Sequence, residues 1–308
     1  MSADPLAGWS PHPVTTEEHV DPGRVAALAA LLESGAPVPG EGDDLPPLWH
    51  WVALPTWPSS SQIGLDGHPH RGGLLPPLPQ PRRMFAGGSL DLHAPLRVGE
   101  WVRREAIVES VDQKRGRSGD FAVVRVRHTL RGPEGDVRIE ERQDLVFRDG
   151  PSVVDSGAAV EPASELSPAG PPLRPRSGVD AGARPSGADA GARWDVVTDP
   201  TLLMRFSAVT ANPHRIHYDW PYATRREGYP GLVVHGPLST LLLAEALRLG
   251  SPESTPSRLQ HRNRAPLFCG QPAEIALTCA DSTPDAAAAS AEVVMRDADG
   301  QVLVTLSA

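Results

Sequence analysis

The densest group of chemically competent side chains lies in the stretch FSAVTANPHRIHYD, residues 206–219. Within ten positions this stretch carries Thr210, Asn212, His214, Arg215, His217 and Asp219. An imidazole exchanges protons near neutral pH, and a neighbouring amide can orient a water molecule or a polar substrate. These residue types at this spacing predict acid–base chemistry.

A second segment, GYPGLVVHGP at residues 228–237, follows at short range and leads into an apolar helical pattern. Gly236 precedes this helix, where unpaired backbone N–H groups and the positive end of the helix dipole favour negative charge. Such a helix end suits the oxyanion that develops on a reacting carbonyl group. Together the two segments predict a site that works on a carbonyl compound.

Each candidate residue receives a predicted role. His217 is the predicted general acid and base, Asn212 the amide that orients water or substrate, and Gly236 the donor to the oxyanion. His235 is predicted to contribute to substrate binding by packing or hydrogen bonding. Asp219 either holds a ring nitrogen of His217 or caps a turn.

The spacing of His214, His217 and Asp219 also fits a set of metal ligands. The sequence has only two cysteines, Cys269 and Cys279, and no second cluster of ligand residues accompanies the first. Acid–base chemistry accounts for the same residues without a metal. No metal is therefore predicted.

Two helical patterns and a run of strands must position these residues. A helix is predicted around residues 199–210, directly before the polar stretch. A second helix is predicted over residues 237–249, with Pro237 in its first turn and an apolar stripe of Leu238, Leu241, Leu242 and Leu249. Strands are predicted near residues 257–268, 273–280, 288–296 and 302–306.

The N-terminal half differs in the order of its elements and has no matching acid–base motif. A short helix is predicted at residues 24–33, with Asp21 and Pro22 as start signals and Gly35 as a stop. After a loop rich in Pro and Trp, antiparallel strands are predicted at residues 88–92, 101–111, 121–131 and 137–148. A helix followed by antiparallel strands predicts a sheet wrapped around one long helix, and halves of similar size indicate duplication with divergence.

Residues 151–193 separate the two halves. This segment is dominated by Pro, Gly, Ala, Ser and Asp, has no aromatic residue and repeats the motif DAGAR. No periodic apolar face can be drawn through it, so it is predicted to be a flexible linker. The predicted domains are therefore residues 1–150 and residues 194–308.

The composition excludes several classes of function. The chain has 308 residues, with 29 basic and 38 acidic side chains and a formal net charge of −9. This acidic balance argues against nucleic acid or an anionic membrane as a partner. The N-terminus lacks the features of a signal peptide, and no stretch approaches the roughly 18 apolar residues of a membrane helix. A soluble, cytoplasmic protein is predicted.

The two polar segments resemble the MaoC-like hydratases and dehydratases, a family of hot-dog fold that acts on acyl thioesters. The family pattern runs from an aromatic residue through D-x-N-P-x-H-x-D to a V-H-G that opens the central helix. Aligned without gaps, His217 takes the place of the catalytic histidine, and residues 234–236 form the V-H-G. The catalytic aspartate then falls on Asn212, whereas a gapped match puts Thr210 there. Neither side chain can take up a proton as a carboxylate does.

The cluster looks closest to one branch of that family, the 3-methylfumaryl-CoA (mesaconyl-CoA) hydratases and mitochondrial-type hydroxyacyl-thioester dehydratases. In the N-terminal half, PRRMFAGGSLDLHAPLRVGEWV and QDLVFR look like the degenerate first hot dog of this branch. QHRNRAPLFCGQ, residues 260–271, looks similar to it in the second half. The resemblance implies an α+β double hot dog, in which the C-terminal unit carries the site and the degenerate N-terminal unit completes the substrate channel.

The resemblance also implies a reaction. It is the reversible addition of water to the α,β double bond of an enoyl-CoA thioester, with 3-methylfumaryl-CoA as substrate and citramalyl-CoA as product. The free carboxylate of this substrate should meet an arginine, and the candidates are Arg82, Arg83, Arg215 and Arg262. CoA enters only as part of the substrate, an acyl-carrier protein could take its place, and no cofactor is predicted. A homo-oligomer is compatible with the sequence.

Three alternatives stay open at this point. The same fold could dehydrate a 3-hydroxyacyl thioester of fatty-acid or polyketide metabolism. A hot-dog thioesterase is another alternative, although it would be expected to carry a carboxylate at the position of Asn212. A non-catalytic acyl-CoA-binding protein is the third, and it would not need His217.

Overall fold

The computed structural model describes residues 6–116, 119–149, 170–176, 192–252, 255–279 and 291–308. The helices in these ranges are α1 (Pro22–Leu32), α2 (His50–Ala53), α3 (Pro200–Val209) and α4 (Gly236–Gly250). The strands are β1 (Val14–His19), β2 (Arg82–Leu92), β3 (Trp101–Gly116), β4 (Gly119–Arg131), β5 (Val137–Arg148), β6 (Leu173–Pro175), β7 (Arg193–Val196), β8 (Arg258–Asn263), β9 (Ala273–Cys279), β10 (Ala291–Asp297) and β11 (Val302–Ser307). None of these helices is long and apolar enough to cross a bilayer, and the cytoplasmic location stays a prediction.

The strands of both halves form one sheet with the order β1-β3-β4-β5-β2-β8-β11-β10-β9-β7-β6. Every neighbouring pair is antiparallel. The N-terminal half contributes one side of the sheet and the C-terminal half the other. They join where β2 pairs with β8, with Leu90 opposite Leu259. Few helices and a large antiparallel sheet agree with the predicted α+β class.

Helix α4 is the long helix around which the C-terminal strands are arranged. It begins at Gly236 and ends at Gly250, as the apolar stripe predicts. Leu238, Leu241 and Leu242 are fully buried, and the helix packs on β9, β10 and β11. Burial of each leucine contributes about 1.5–3 kcal/mol, so this face holds the helix end in a fixed position.

The N-terminal half has shorter helices in the part of it that the structure describes. Helix α1 begins as predicted, because the Asp21 side chain accepts a hydrogen bond from the backbone N–H of Gly23 and Pro22 occupies the first turn. Its buried face packs against α3 of the other half. Helix α2 has only four residues. The long central helix is thus a feature of the C-terminal half among the described residues.

The strands depart from the sequence-based predictions in several places, and three of these departures have a local explanation. The side chains of β1 are mostly exposed, so no apolar alternation indicates this strand, which is held by backbone pairing with β3. Strand β2 begins at Arg82 rather than Gly88. Its pairing register shifts between Phe85 and Gly87, which interrupts the alternation of side chains in the sequence. Strand β8 ends at Asn263, well before residue 268, because Pro266 has no N–H for a continuing ladder.

The predicted linker, residues 151–193, is described only in part. Residues 151–169 and 177–191 lie outside the described residues. Between them β6 pairs with β7, and Leu173 is buried. This short strand differs from a linker without structure, because one apolar side chain anchors it to the sheet edge. The boundaries of the two predicted domains stay predictions.

The join between the halves depends on a close backbone approach at Gly88. In β2 this residue lies between Gln143 of β5 and His261 of β8. A Cβ atom at Gly88 would lie 2.1 Å from the carbonyl oxygen of Arg142 and 3.1 Å from Nε2 of His261. No side chain fits there without separating the strands.

We expect Gly88→Ala to lower the free energy of unfolding by at least about 2 kcal/mol, because the added methyl overlaps backbone atoms. Urea denaturation followed by circular dichroism measures the difference. Gly73→Ala is the matched control, since a Cβ at Gly73 meets no heavy atom within 4 Å. Equal stability of the two variants would contradict the tight join.

Candidate active site

A cavity of about 890 Å³ is lined by residues of both halves. The C-terminal half lines it with residues of the polar stretch and with the beginning of α4, and the N-terminal half with β2 and the loop before it. Its chemically competent lining residues include His68, Arg83, Thr210, Asn212, His214, His217 and Gly236. The cavity therefore brings together segments that are far apart in the sequence.

His217 ends a short 3₁₀ turn, Arg215–His217, that follows the polar stretch. Its Nδ1 lies 2.7 Å from the carbonyl oxygen of Val233, and the backbone N–H of Val233 donates to the carbonyl oxygen of Ile216. Because a carbonyl oxygen only accepts, Nδ1 carries the hydrogen of the neutral ring. Nε2 then keeps its lone pair, so His217 can act as a base.

The environment of His217 also favours the neutral ring. Burial lowers the pKa of His217 to about 3, although its hydrogen bond to Val233 acts in the opposite direction. At neutral pH this imidazole is therefore uncharged and able to accept a proton. The geometry and the charge state agree with the predicted acid–base role, which stays a proposal.

His235 lies behind His217 and outside the cavity. The two rings stack with centroids 3.6 Å apart, and Nε2 of His235 is 2.8 Å from the hydroxyl of Ser207. His235 is fully buried and does not line the cavity. His235 therefore packs against the His217 ring and is not placed to contact the substrate, as had been predicted.

Gly236 places a free donor at the cavity wall. It is the first residue of α4, and the first four N–H groups of a helix have no carbonyl partner within the helix. Among the described residues, no hydrogen bond is formed by the Gly236 N–H. The donor thus lies at the positive end of the helix dipole, as the oxyanion role requires.

Asn212 and Thr210 both line the cavity, but their oxygens are turned toward the backbone. The side-chain oxygen of Asn212 accepts a hydrogen bond of 3.1 Å from the N–H of His214, which forms an Asx turn. The hydroxyl of Thr210 donates to the carbonyl oxygen of Phe206 at 2.6 Å. What Asn212 presents to the cavity is its amide NH₂ group, a hydrogen-bond donor.

Asp219 caps a turn and does not hold His217. Its carboxylate accepts two hydrogen bonds from Arg215, at 2.7 and 2.9 Å, and one from the N–H of Tyr222. Of the two alternatives for Asp219, the structure shows the turn cap, and Nδ1 of His217 is bonded to the carbonyl oxygen of Val233. This pairing also draws Asp219 away from a metal site with the two histidines.

Of the four candidate arginines, only Arg83 lines the cavity. Arg82 forms an ion pair of 2.9 Å with Glu227, and Arg215 is paired with Asp219. Arg262 is exposed on β8 and does not reach the cavity. Arg82 and Arg215 therefore form structural ion pairs, and Arg262 lies at the surface. None of the three is placed to contact the substrate, as had been predicted.

Arg83 is a half-buried charge without an ion-pair partner in the described part of the chain. Partial burial lowers the pKa of its guanidinium to about 10, although Asp66 acts in the opposite direction. The group remains charged at neutral pH, and no described carboxylate forms a salt bridge with it. A partly desolvated cation of this kind favours an anionic ligand.

Sequence reasoning missed a group that the N-terminal half supplies. His68 lines the cavity beside His214, with ring centroids 3.9 Å apart, and Nδ1 of His68 is 2.9 Å from Oδ2 of Asp66. Asp66, His68 and His214 offer ligand atoms within 4.8 Å of one another. The two histidines of the segment DGHPH were the feature of the sequence that could have indicated this group. In the sequence, however, this segment looks like an ordinary loop.

A separate polar network lines the cavity within the N-terminal half. Glu141 accepts hydrogen bonds from Trp51 at 2.7 Å and Gln143 at 2.8 Å, and its other oxygen is 3.0 Å from Nε2 of His50. Burial raises the pKa of Glu141, but the hydrogen bond and charge of His50 outweigh this effect and lower it. Glu141 is therefore ionised, and both of its carboxylate oxygens have hydrogen-bond partners.

The buried neutral histidines make stability depend on pH. An unfolded histidine binds a proton below about pH 6.5, whereas burial keeps the pKa of His217 at about 3 and that of His235 well below its ordinary value. The stabilisation of the folded state by these neutral histidines is present above pH 6.5. It is lost as the pH falls toward their folded-state pKa values.

We expect the free energy of unfolding to fall as the pH is lowered from about 7.5 to about 5.5. Below pH 6.5, each buried histidine contributes up to about 1.4 kcal/mol per pH unit to this slope. Urea titrations at several pH values measure the slope. His235→Gln should reduce it, because this variant keeps a partner for Ser207 without titrating. His12→Gln, at an exposed position, should leave it unchanged; an unaltered slope in both variants would contradict the assignment.

Comparison of the whole fold with solved structures finds MaoC-like dehydratases and a protein with a double hotdog fold. HtdX of Mycobacterium tuberculosis superposes with a TM-score of 0.59 and 19% sequence identity, covering 96% of this chain and 98% of that one. A MaoC-like dehydratase of Phytophthora capsici gives 0.62 and 14%, covering 96% and 94%. A Mycobacterium tuberculosis protein with a double hotdog fold gives 0.54 and 14%, covering 97% and 94%. The predicted double hot dog is confirmed.

Sequence comparison gives the family. The mesaconyl-C(4)-CoA hydratase of Chloroflexus aurantiacus is 42% identical over 268 residues, 87% of each chain. The mitochondrial hydroxyacyl-thioester dehydratase type 2 of Schizosaccharomyces pombe is 34% identical over 87 residues, 28% of this chain and 29% of that one. The family model for hydroxyacyl-thioester dehydratase type 2 matches residues 48–269. The resemblance to MaoC-like enzymes is thus confirmed, and the chain belongs to the hydroxyacyl-thioester dehydratase type 2 family.

Proposed function

We propose that this chain is a hydro-lyase that adds water reversibly to the α,β double bond of an enoyl-CoA thioester. The proposed substrate is 3-methylfumaryl-CoA, the C4 thioester of mesaconic acid, and the product is citramalyl-CoA. The observation that carries the proposal is the meeting, at one cavity, of a free imidazole nitrogen on His217 and a free helix N–H on Gly236. Membership of the dehydratase family and the identity with a mesaconyl-C(4)-CoA hydratase support it.

In the hydration direction, His217 transfers one proton. Its Nε2 takes the proton from water as the water oxygen bonds to Cβ, and the π electrons move onto the thioester oxygen. The imidazolium then returns the proton to Cα as the carbonyl re-forms. The same groups serve the reverse reaction, so dehydration of a 3-hydroxyacyl thioester, the activity in the family's name, is the second candidate function.

Gly236 stabilises the enolate oxygen. Its N–H is fixed by the packed helix α4, so little reorganisation is needed when charge develops on the thioester. A well-placed donor of this kind is worth about 3–4 kcal/mol in the transition state. Asn212 donates through its amide NH₂ to the water oxygen or to the product hydroxyl.

The carboxylated substrate is supported by Arg83. In 3-methylfumaryl-CoA the free carboxylate is attached to Cβ, the carbon that water attacks, so its partner must lie close to the acid–base groups. Arg83 lines the same cavity and acts electrostatically on His68 and His214. A substrate carboxylate supplies the counter-ion that the described part of the chain does not, and a two-pronged hydrogen bond to the guanidinium fixes its orientation.

We expect purified protein to remove the enoyl absorbance of 3-methylfumaryl-CoA, and His217→Ala to lower kcat about 100- to 10,000-fold through loss of the proton-transfer group. Spectrophotometric turnover, with crotonyl-CoA as a second substrate, measures both. His93→Ala, an exposed variant, is the control.

Other outcomes of this assay contradict the proposal in defined ways. Release of free CoA without hydration would identify a thioesterase. Binding of the acyl-CoA without turnover would identify a binding protein. Full activity of His217→Ala would remove this residue from the mechanism, and turnover of crotonyl-CoA alone would exclude the carboxylated substrate.

We expect Arg83→Gln to lower kcat/KM for 3-methylfumaryl-CoA about 30- to 150-fold, the equivalent of about 2–3 kcal/mol for a charge-assisted hydrogen bond. Turnover of crotonyl-CoA, which has no carboxylate, should change little. Arg103→Gln, an exposed arginine on β3, should affect neither substrate. An equal loss on both substrates would contradict the role in carboxylate binding.

A further inference from the structure

The N-terminal half inserts a loop directly against the proposed active site. The backbone N–H of Arg215 donates to the carbonyl oxygen of Asp66 at 2.9 Å, and the Arg215 side chain donates to the carbonyl oxygen of Leu65 at 3.1 Å. Between Asp66 and His68, Gly67 has a φ of +92°, and a Cβ there would lie 1.8 Å from the carbonyl oxygen of Pro213. The loop is therefore held in contact with the turn that carries His217.

Within this loop Asp66 and His68 form a dyad. One Asp66 oxygen accepts the backbone N–H of His68 at 2.9 Å, and the other is 2.9 Å from Nδ1 of the same residue. Because an ionised carboxylate only accepts, Nδ1 carries the hydrogen and Nε2 keeps its lone pair. Burial raises the pKa of Asp66, but the hydrogen bonds and charge of His68 together with the charge of Arg83 outweigh this effect and lower it, so the carboxylate form is favoured.

A second acceptor beside His217 orients the attacking water. A water molecule has two hydrogens, and Nε2 of His217 accepts only one of them. The two positions that the predicted alignments give to the aspartate of MaoC-like enzymes are Asn212 and Thr210, and neither carries a carboxylate. The oxygen of Asn212 accepts the N–H of His214, and the Thr210 hydroxyl donates to the carbonyl oxygen of Phe206. Both oxygens are thus turned toward the backbone, and neither is a base.

His68 is better suited than His214 to be this acceptor. Both rings line the cavity, but His214 has no described side-chain hydrogen bond that would choose its tautomer. Asp66 fixes the tautomer of His68 and orients its ring, as the carboxylate does in a catalytic triad. Burial and the charge of Arg83 lower the pKa of His68 to about 4, so the lone pair is available at neutral pH.

We propose that His68, held by Asp66, is a catalytic residue of the hydration, and that its Nε2 accepts the second hydrogen of the attacking water. The inference rests on the proposed function. One O–H bond of the water breaks as the C–O bond forms, and that proton passes through His217 to Cα. The other O–H bond stays intact, donates to His68 throughout and becomes the hydroxyl of the product. Asp66 is a positioning residue that acts through His68.

The test compares kcat and KM of full-length variants with 3-methylfumaryl-CoA. His68→Leu removes the acceptor and should lower kcat at least about 100-fold with little change in KM. His68→Gln places an amide oxygen near the lost Nε2 and should recover part of kcat. His70→Leu, an exposed position in the same loop, should match the wild type, and circular dichroism should show that every variant is folded.

A double-mutant cycle tests the role of Asp66. Asp66→Asn should lower kcat at least about tenfold, because an amide can bind the wrong tautomer of His68. If Asp66 acts through His68, the double variant Asp66→Asn, His68→Leu will be no slower than His68→Leu alone. A merely structural role would give additive losses instead and would overturn the proposal.

Two further outcomes would also overturn it. A kcat of His68→Leu within twofold of the wild type would remove His68 from the reaction while leaving the hydratase function intact. Activity that is lost on dialysis against EDTA and restored by Zn²⁺ would show that Asp66, His68 and His214 hold a metal instead. Absence of hydration by the wild-type protein, in contrast, would contradict the proposed function itself.

Discussion

The pairing of β2 with β8 is the constraint on which the rest of the structure depends. It joins the two halves into one antiparallel sheet, and it is only possible because Gly88 brings no side chain between the strands. Strand β2 then carries Arg83 and Phe85 to the cavity, beside the beginning of α4. The ring of Phe85 lies within van der Waals distance of a Cβ built on Gly236. Binding groups of one half thus meet the helix end of the other half.

Burial controls the charge at the site. Four histidine rings form a continuous series of contacts from His68 through His214 and His217 to His235, and burial lowers the pKa of each. Neutral imidazoles can stack closely where imidazolium ions would repel one another. The positive charge of Arg83 lies beside this series, and it adds to the bias against protonation of His68 and His214. The cavity consequently combines the neutral imidazoles of His68, His214 and His217 with the positive charge of Arg83, a combination that suits water, a carboxylate and a developing enolate.

The absence of a carboxylate at both Thr210 and Asn212, the two positions predicted for the aspartate of MaoC-like enzymes, changes how the two halves contribute to the site. In the C-terminal half, His217 presents a free base nitrogen with a defined tautomer. A carboxylate is present nearby, but it belongs to Asp66 of the N-terminal half and reaches the cavity through His68. The N-terminal unit lacks the acid–base motif of the C-terminal half, yet it supplies Arg83 and the dyad of Asp66 and His68 to the cavity.

The sequence by itself determined what depends on neighbouring residues: the capped beginning of α1, the apolar stripe of α4, the turn that presents His217 and the free N–H of Gly236. Local spacing and period carry that information directly. Only the tertiary structure decided which arginine faces the cavity, because Arg82 and Arg83 are adjacent in a strand and point to opposite sides. Likewise, nothing local distinguishes His68 from an ordinary loop residue. The role proposed for His68 depends on contact of its loop with residues about 150 positions away, and such contacts leave no period or motif in a single sequence.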